Sequence, residues 1–417
     1  MIRILITTAL VIAPLILVAF AALRAACLFA AIRRFFDGGE RAVAPVMDRV
    51  ALSIGNPSVS LIVDLEDLPA GESTVSRVMQ YLAQHYRNLE VVLVCTSREV
   101  PTELLLAFDL VETGSSTEGT MYRSRRDSRL RCIVTGQDAE SDREWWRLAI
   151  SAASGELIMP VDSRWVLRPS AVSRLAAPWV RRPRTVASIG IVEPVPGGFG
   201  STADIVAARA DMMAVAGLGT GPALLGALGA VGAGYDGCIA GVFTRRALLR
   251  IGGVPGPIQD PLTWAEVGRR LRVDGMERSL EHRVQVVPQS VGEVESSGRW
   301  TSMSGMDWAR SSWKTRAFQL VYRVASVLPI LAMISLAAAV AGGVSGIVRT
   351  DLLWVAAAAP LLYTVVIILG LMMEDRAVRP ASGTRARLRL LAGAVGASLW
   401  GTLGSPFRWS SSELNRA

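Results

Sequence analysis

The sequence predicts an α/β domain with a mostly parallel sheet, flanked by transmembrane helices. Three observations carry this. The chain has 417 residues, 51% of them hydrophobic and only 19% charged, and its mean hydropathy of +0.37 is too high for a wholly water-soluble protein of this length. Long uncharged runs lie at its two ends. Between them, short apolar runs alternate with segments of helical spacing, the pattern of βαβ units.

From the amino terminus, Ile4 to Leu23 is uncharged and mostly apolar, about the ~20 residues needed to cross ~30 Å of hydrocarbon. Apolar character resumes after Arg24 as far as Ile32, too long for the core of a signal peptide. Residues 1–32 therefore read as a membrane helix, with Arg33 and Arg34 placing its carboxyl-terminal side in the cytoplasm, and 33–54 as a linker. In the domain at 55–295, "VSLIVDL" reads as a buried strand, "STVSRVMQYLAQHY" as a helix burying Val75, Val78, Met79 and Leu82, and "LEVVLVC" as the next strand. "RCIVTG", "GELIMPVD" and "VASIGIVEP" supply more strands, and "DREWWRLAISAAS" a helix on which Trp145 and Trp146 should face different sides. The glycine-laden stretch Met212 to Tyr235 reads as an interfacial or buried helix with loops. Residues 296–323 read as an amphipathic interface segment, and 324–405 as two or three spans: Val324 to Val348, Leu352 to Met373, and a glycine-interrupted Leu388 to Leu403. The arginine-rich loop between the last two should be cytoplasmic, on the same side as the domain, ahead of a polar tail at 406–417. This describes an integral protein of an inner or plasma membrane.

The net charge is +8, and Lys314 is the one lysine among 44 basic residues. The arginines cluster beside apolar segments, so the lipid bilayer rather than nucleic acid is the expected partner. Cys27, Cys95, Cys132 and Cys238 lack C-x-x-C spacing, and His85 and His282 are the only histidines. Reduced, buried thiols are expected rather than a zinc site.

"PSVSLIVDLEDLPAGESTVSRVMQYLAQHYRNLEVVLVC", "AISAASGELIMPVDSRWVLRPSAVSRL" and "IAGVFTRRALLRIGG" resemble successive segments of inverting family-2 glycosyltransferases. The resemblance covers roughly residues 55–310. It implies a GT-A nucleotide-sugar-transferase-like domain, in the layout of membrane synthases of polysaccharides and of ceramide glucosyltransferase-like enzymes. In such a reaction a divalent cation held by carboxylates neutralises the donor diphosphate, and a carboxylate acts as general base toward the acceptor hydroxyl.

The positions that carry this chemistry depart from the family pattern. The "P-x-Y-N-E" slot reads Asp64-Leu65-Glu66-Asp67-Leu68, and the "D-D-G-S" slot Cys95-Thr96-Ser97-Arg98. The D-x-D is Asp162-Ser163-Arg164, a carboxylate and a cation. The "G-K-x-x-A-L-N" segment falls on Ser141 to Arg147 with no matching residue. The "E-D" pair falls on Thr263-Trp264, with Asp260 or Glu266 as substitutes if the loop is slipped. Of "Q-x-x-R-W" only Trp308 remains, with Gly298 to Trp300 a badly spaced alternative.

Asp67, Asp162, Arg164 and Trp308 are thus the expected remnant of a nucleotide site, and Asp260 and Glu266 the candidate catalytic acids. Asp162 alternatively reads as a solvated strand-end carboxylate paired with Arg164 or Arg168, Trp308 as an interfacial anchor, and Asp64, Glu66 and Asp67 as caps of the helix starting near Ser73 or as a polar loop. The expected function is that of a catalytically inactive transferase homologue, a scaffold or regulatory subunit for an intact synthase or another membrane subunit. The alternative is an active inverting transferase using a nucleotide or lipid-phosphate donor, in which Arg147 or Arg164 neutralises phosphate. No metal ligand or cofactor is assigned; magnesium or manganese enters only if the chain is active.

Overall fold

In the computed structural model, residue 26 and residues 55–294 are described, except 66–72, 96–98, 117–118, 136–141, 183, 195–220, 223, 226–238, 257 and 259–260. Apart from residue 26, the predicted spans, the linker, the interface segment and the tail lie outside these. Among the described residues, no helix is long and apolar enough to cross a membrane.

The domain opens with β1 (Val59–Asp64) and α1 (Thr74–Leu82), followed by β2 (Leu89–Cys95) and α2 (Thr102–Phe108). A hairpin of β3 (Leu110–Ser116) and β4 (Gly119–Ser124) then leads into β5 (Leu130–Thr135). Next come α3 (Asp142–Ala152), β6 (Leu157–Asp162), the short β7 (Trp165–Leu167), α4 (Ala171–Arg181) and β8 (Thr185–Pro194). Beyond the undescribed 195–220 are β9 (Ile239–Thr244), α5 (Arg245–Arg250), α6 (Pro261–Glu277) and β10 (Arg283–Val294).

Among the described residues, these ten strands form one sheet in the order β3-β4-β5-β2-β1-β6-β9-β8-β10-β7. Its centre, β5-β2-β1-β6, is parallel, as is the β8–β10 pair. The other five pairings are antiparallel, so the sheet is mixed rather than mostly parallel. Local chemistry explains part of this: the two residues between β3 and β4, Thr117 and Glu118, are enough to close an antiparallel hairpin, whereas parallel neighbours need a long crossover.

Strands β1, β2 and β6 read as continuous apolar runs because both of their faces are covered, and nearly every residue in them is buried. Each large apolar side chain so buried contributes roughly 1.5–3 kcal/mol. Helix α1 is capped by Ser73, whose side chain accepts from Ser76 N. The cap seen is this serine rather than Asp64, and Glu66 and Asp67 lie outside the described residues. The buried face of α1 is Arg77, Val78, Tyr81 and Leu82, while Met79 is 55% exposed; the stripe is turned about one residue from the predicted one. Trp145 and Trp146 are both buried, and their rings stack with centroids 4.2 Å apart. Neighbouring Cα–Cβ bonds diverge on a helix, but long indoles can turn back onto each other. Within Met212 to Tyr235 only Gly221, Pro222, Leu224 and Leu225 are described, and both leucines are buried.

A polar pin lies at the amino ends of the strands. Buried Glu90 on β2 accepts from Ser60 Oγ and from Ser154 N (2.8 Å) and pairs with Arg131 at 3.1 Å. Ser60 Oγ in turn accepts from Gly155 N at 2.9 Å. A methyl group on Gly155 would sit 2.6 Å from Ser60 Oγ, so this turn requires glycine.

Candidate functional site

In an open α/β sheet, a ligand crevice forms outside the carboxyl ends of the strands where the strand order reverses. Here the chain runs from β1 to β2 on one side and reaches β6 on the other, so the reversal lies between β1 and β6. The last residues of those strands, Asp64 and Asp162, are register partners. Pairing between β1 and β6 thus sets two carboxyl-bearing residues side by side, a placement that motif reading does not give.

Asp162 is not solvated as the alternative reading expected: its side chain is wholly buried. Strand pairing draws it into the sheet, and a buried carboxylate demands a counter-charge and hydrogen-bond donors. Arg164 supplies both. Its Nε donates to Oδ1 at 3.0 Å and Oδ2 at 3.1 Å, its Nη2 donates to Oδ2 at 2.6 Å, and its backbone N donates to Oδ1 at 2.9 Å. The aspartate bonding its own backbone two residues on is an Asx turn, and the guanidinium adds a charge-assisted fork. Arg168, the other predicted partner, turns to Glu293 at 3.7 Å.

The turn is held from below by α1. Tyr81 Oη donates toward Ser163 O at 3.2 Å and Trp165 O at 3.1 Å, and Arg77 Nη1 donates to Trp165 O at 3.1 Å. Sequence reading missed these two positioning residues. Their signal was an arginine and a tyrosine four apart on the face of a helix that also carries Val78 and Leu82.

A divalent cation needs oxygens at about 2.0–2.6 Å, and both oxygens of Asp162 already face the guanidinium. The donor set at this point does not fit a divalent cation unless Arg164 is displaced.

Among the other predicted residues, Asp67, Asp260 and Trp308 lie outside the described residues. Glu266 is on α6, where Arg269 donates to both of its oxygens at 2.7 Å and Arg270 Nε donates to Oε1 at 2.8 Å. The Arg269 hydrogen bonds, then those of Arg270, outweigh desolvation and hold its carboxyl down to about 2. A carboxylate so stabilised is a weak base at neutral pH. Trp264, at the "E-D" position, is a core side chain: it stacks on Phe243 with centroids 5.7 Å apart, and its Nε1 donates to Ile258 O at 3.0 Å. At the end of β2, Cys95 is a buried free thiol 3.5 Å from Cys132. The hydrogen bond between them and burial push the Cys132 thiol well up, so Cys132 is a neutral packing group. Cys27 and Cys238 lie outside the described residues.

No protein-family model matches the chain, and no curated protein matches it. Among solved structures, it is similar to a mannosyltransferase from Pyrobaculum calidifontis in complex with GDP-mannose and Mn2+, at 16% identity over 93% of this chain and 99% of that one, with a TM-score of 0.39. Glucosyl-3-phosphoglycerate synthase from Mycobacterium tuberculosis matches at 15% identity over 68% and 83%, with a TM-score of 0.33. TarS of S. aureus matches at 12% identity over 83% and 92%, with a TM-score of 0.34. Scores this low carry no argument about activity.

Proposed function

We propose that this chain is a membrane-anchored homologue of family-2 glycosyltransferases in which the D-x-D position has been closed by its own arginine. On this reading it performs no metal-dependent sugar transfer and serves as a scaffold or regulatory subunit of a polysaccharide or glycolipid synthase complex. The observation that carries the reading is the buried Asp162, bonded through both oxygens by Arg164. A guanidinium at that point repels a divalent cation and occupies the oxygens that would coordinate it. The state of Glu266 supports the same conclusion, because a base held down by two arginines has little affinity for the proton of an acceptor hydroxyl. Membrane anchoring is supported by the apolar runs at both ends of the sequence.

The test is a calorimetric titration of the detergent-solubilised full chain with uridine diphosphate, with and without manganese. The reading predicts no manganese-dependent heat of binding. Saturable, manganese-dependent binding that Asp162→Ala abolishes would overturn it in favour of an active inverting transferase.

A further inference from the structure

The amino ends of the central strands, at the edge of the sheet opposite Asp162, carry a concentration of positive charge that internal partners use only in part. Between Tyr122 and Arg131 stand Arg123, Arg125, Arg126, Arg129 and Arg131, against the single acid Asp127. Asp127 is consumed locally by Arg129, at 2.8 Å. Arg123 and Arg131 are register partners on β4 and β5, an arrangement of like charges on one sheet face that costs stability. Glu90 offsets Arg131. Arg123 and Arg125 are exposed, and neither side chain forms a hydrogen bond or ion pair among the described residues. The flanking exposed acids Asp109 and Glu112 make no ion pair with them there. Glu90 thus compensates Arg131 but not Arg123 or Arg125, and exposed charges left without an internal counter-charge are expected where a surface serves a partner.

The same corner bears an apolar anchor. Arg126 Nη1 donates to Ala107 O at 2.7 Å and Arg125 N donates to Asp109 O at 3.1 Å, which fastens the β4–β5 turn to the end of α2. Beside that junction Leu106 is 72% exposed. Arginines together with an exposed apolar side chain at one junction are in keeping with a protein–protein interface, where arginine and apolar residues are enriched. A polyanion bound by charge alone would leave the leucine in water.

We propose that this arginine corner docks an acidic segment of a partner polypeptide, with carboxylates on Arg123 and Arg125 and an apolar residue on Leu106. The proposal rests on the scaffold reading and supplies the chemistry of its partner. The test is fluorescence anisotropy of a labelled glutamate-rich peptide carrying leucines, titrated with the detergent-solubilised full chain at fixed ionic strength. Wild type should bind saturably, and Arg123→Glu/Arg125→Glu should weaken binding about tenfold or more, as expected when attraction becomes repulsion at an interface. Arg184→Glu/Arg283→Glu, which reverses two arginines already engaged by Glu281, should stay within about twofold. An equal loss in both double variants would overturn the proposal. So would tighter binding of a single-stranded oligonucleotide of equal charge. Circular dichroism of each variant establishes that it is folded, and the uridine diphosphate titration of the same preparation reports on the scaffold reading separately.

Discussion

Two buried aspartates in this domain are both held by arginine, and they differ in who holds them. Asp274, on α6, accepts from Arg250 of α5 at 3.0–3.2 Å, from Arg278 at 2.9 Å, and bonds His282 Nε2, just before β10, at 2.8 Å. One carboxylate there ties three elements together. Asp162 is held by the guanidinium and backbone of Arg164, two residues on. The turn around that pair is fixed by Tyr81 and Arg77 of α1. The first arrangement is explained by tertiary structure. The second neutralises a carboxylate at the carboxyl ends of the strands, where an open α/β sheet forms its ligand crevice.

The contrast gives graded expectations. Asp274→Ala should be the most damaging change, costing about 3 kcal/mol in denaturant unfolding, because it removes the buried acceptor shared by Arg250 and Arg278 and strands the buried ring nitrogen of His282. A loss as small as that of a surface ion pair would remove the contrast. Arg164→Ala should cost less, about 1–3 kcal/mol, the penalty of stranding a buried acceptor, and Asp162→Asn in the same background should recover part of it. A coupling near zero between the two sites in a double-mutant cycle would show that the fork contributes nothing.

A smaller effect concerns Glu266. Its folded value lies below the ordinary carboxylate value of 4.5, at about 2. Its contribution is therefore fully present above about 4.5 and is lost as pH falls toward 2. Unfolding midpoints measured across that window should fall more steeply in wild type than in Glu266→Gln. The smallest effect is expected at Met79, exposed on α1: Met79→Gln should change stability by less than about 0.5 kcal/mol, whereas the sequence-predicted helix face would make it a core residue.

The central strands and the two long early helices are legible in the sequence because β1, β2, β5, β6 and β8 are apolar runs and α1 and α3 have helical spacing. The β3–β4 hairpin is not legible because "LVETGSS" and "GTMYRS" are short, largely polar segments that carry glycine, and β10 because Pro288 and Gly292 break its pattern. Strand direction is not encoded in a local pattern at all, which is why β9 and the mixed character of the sheet emerge only from pairing. At the site, the Asp162–Arg164 pair follows from a spacing of two residues. The register of Asp64 with Asp162, and the hold of Arg77 and Tyr81 on the turn, depend on how distant segments pack.

The most direct measurement is manganese binding by electron paramagnetic resonance on the detergent-solubilised full chain, comparing wild type with Arg164→Asp and Asp162→Ala. If Arg164 closes the site, wild type leaves the free-manganese signal unchanged, and Arg164→Asp, which replaces the guanidinium with a second carboxylate, depletes it. Manganese bound by wild type and released in Asp162→Ala would contradict that closure.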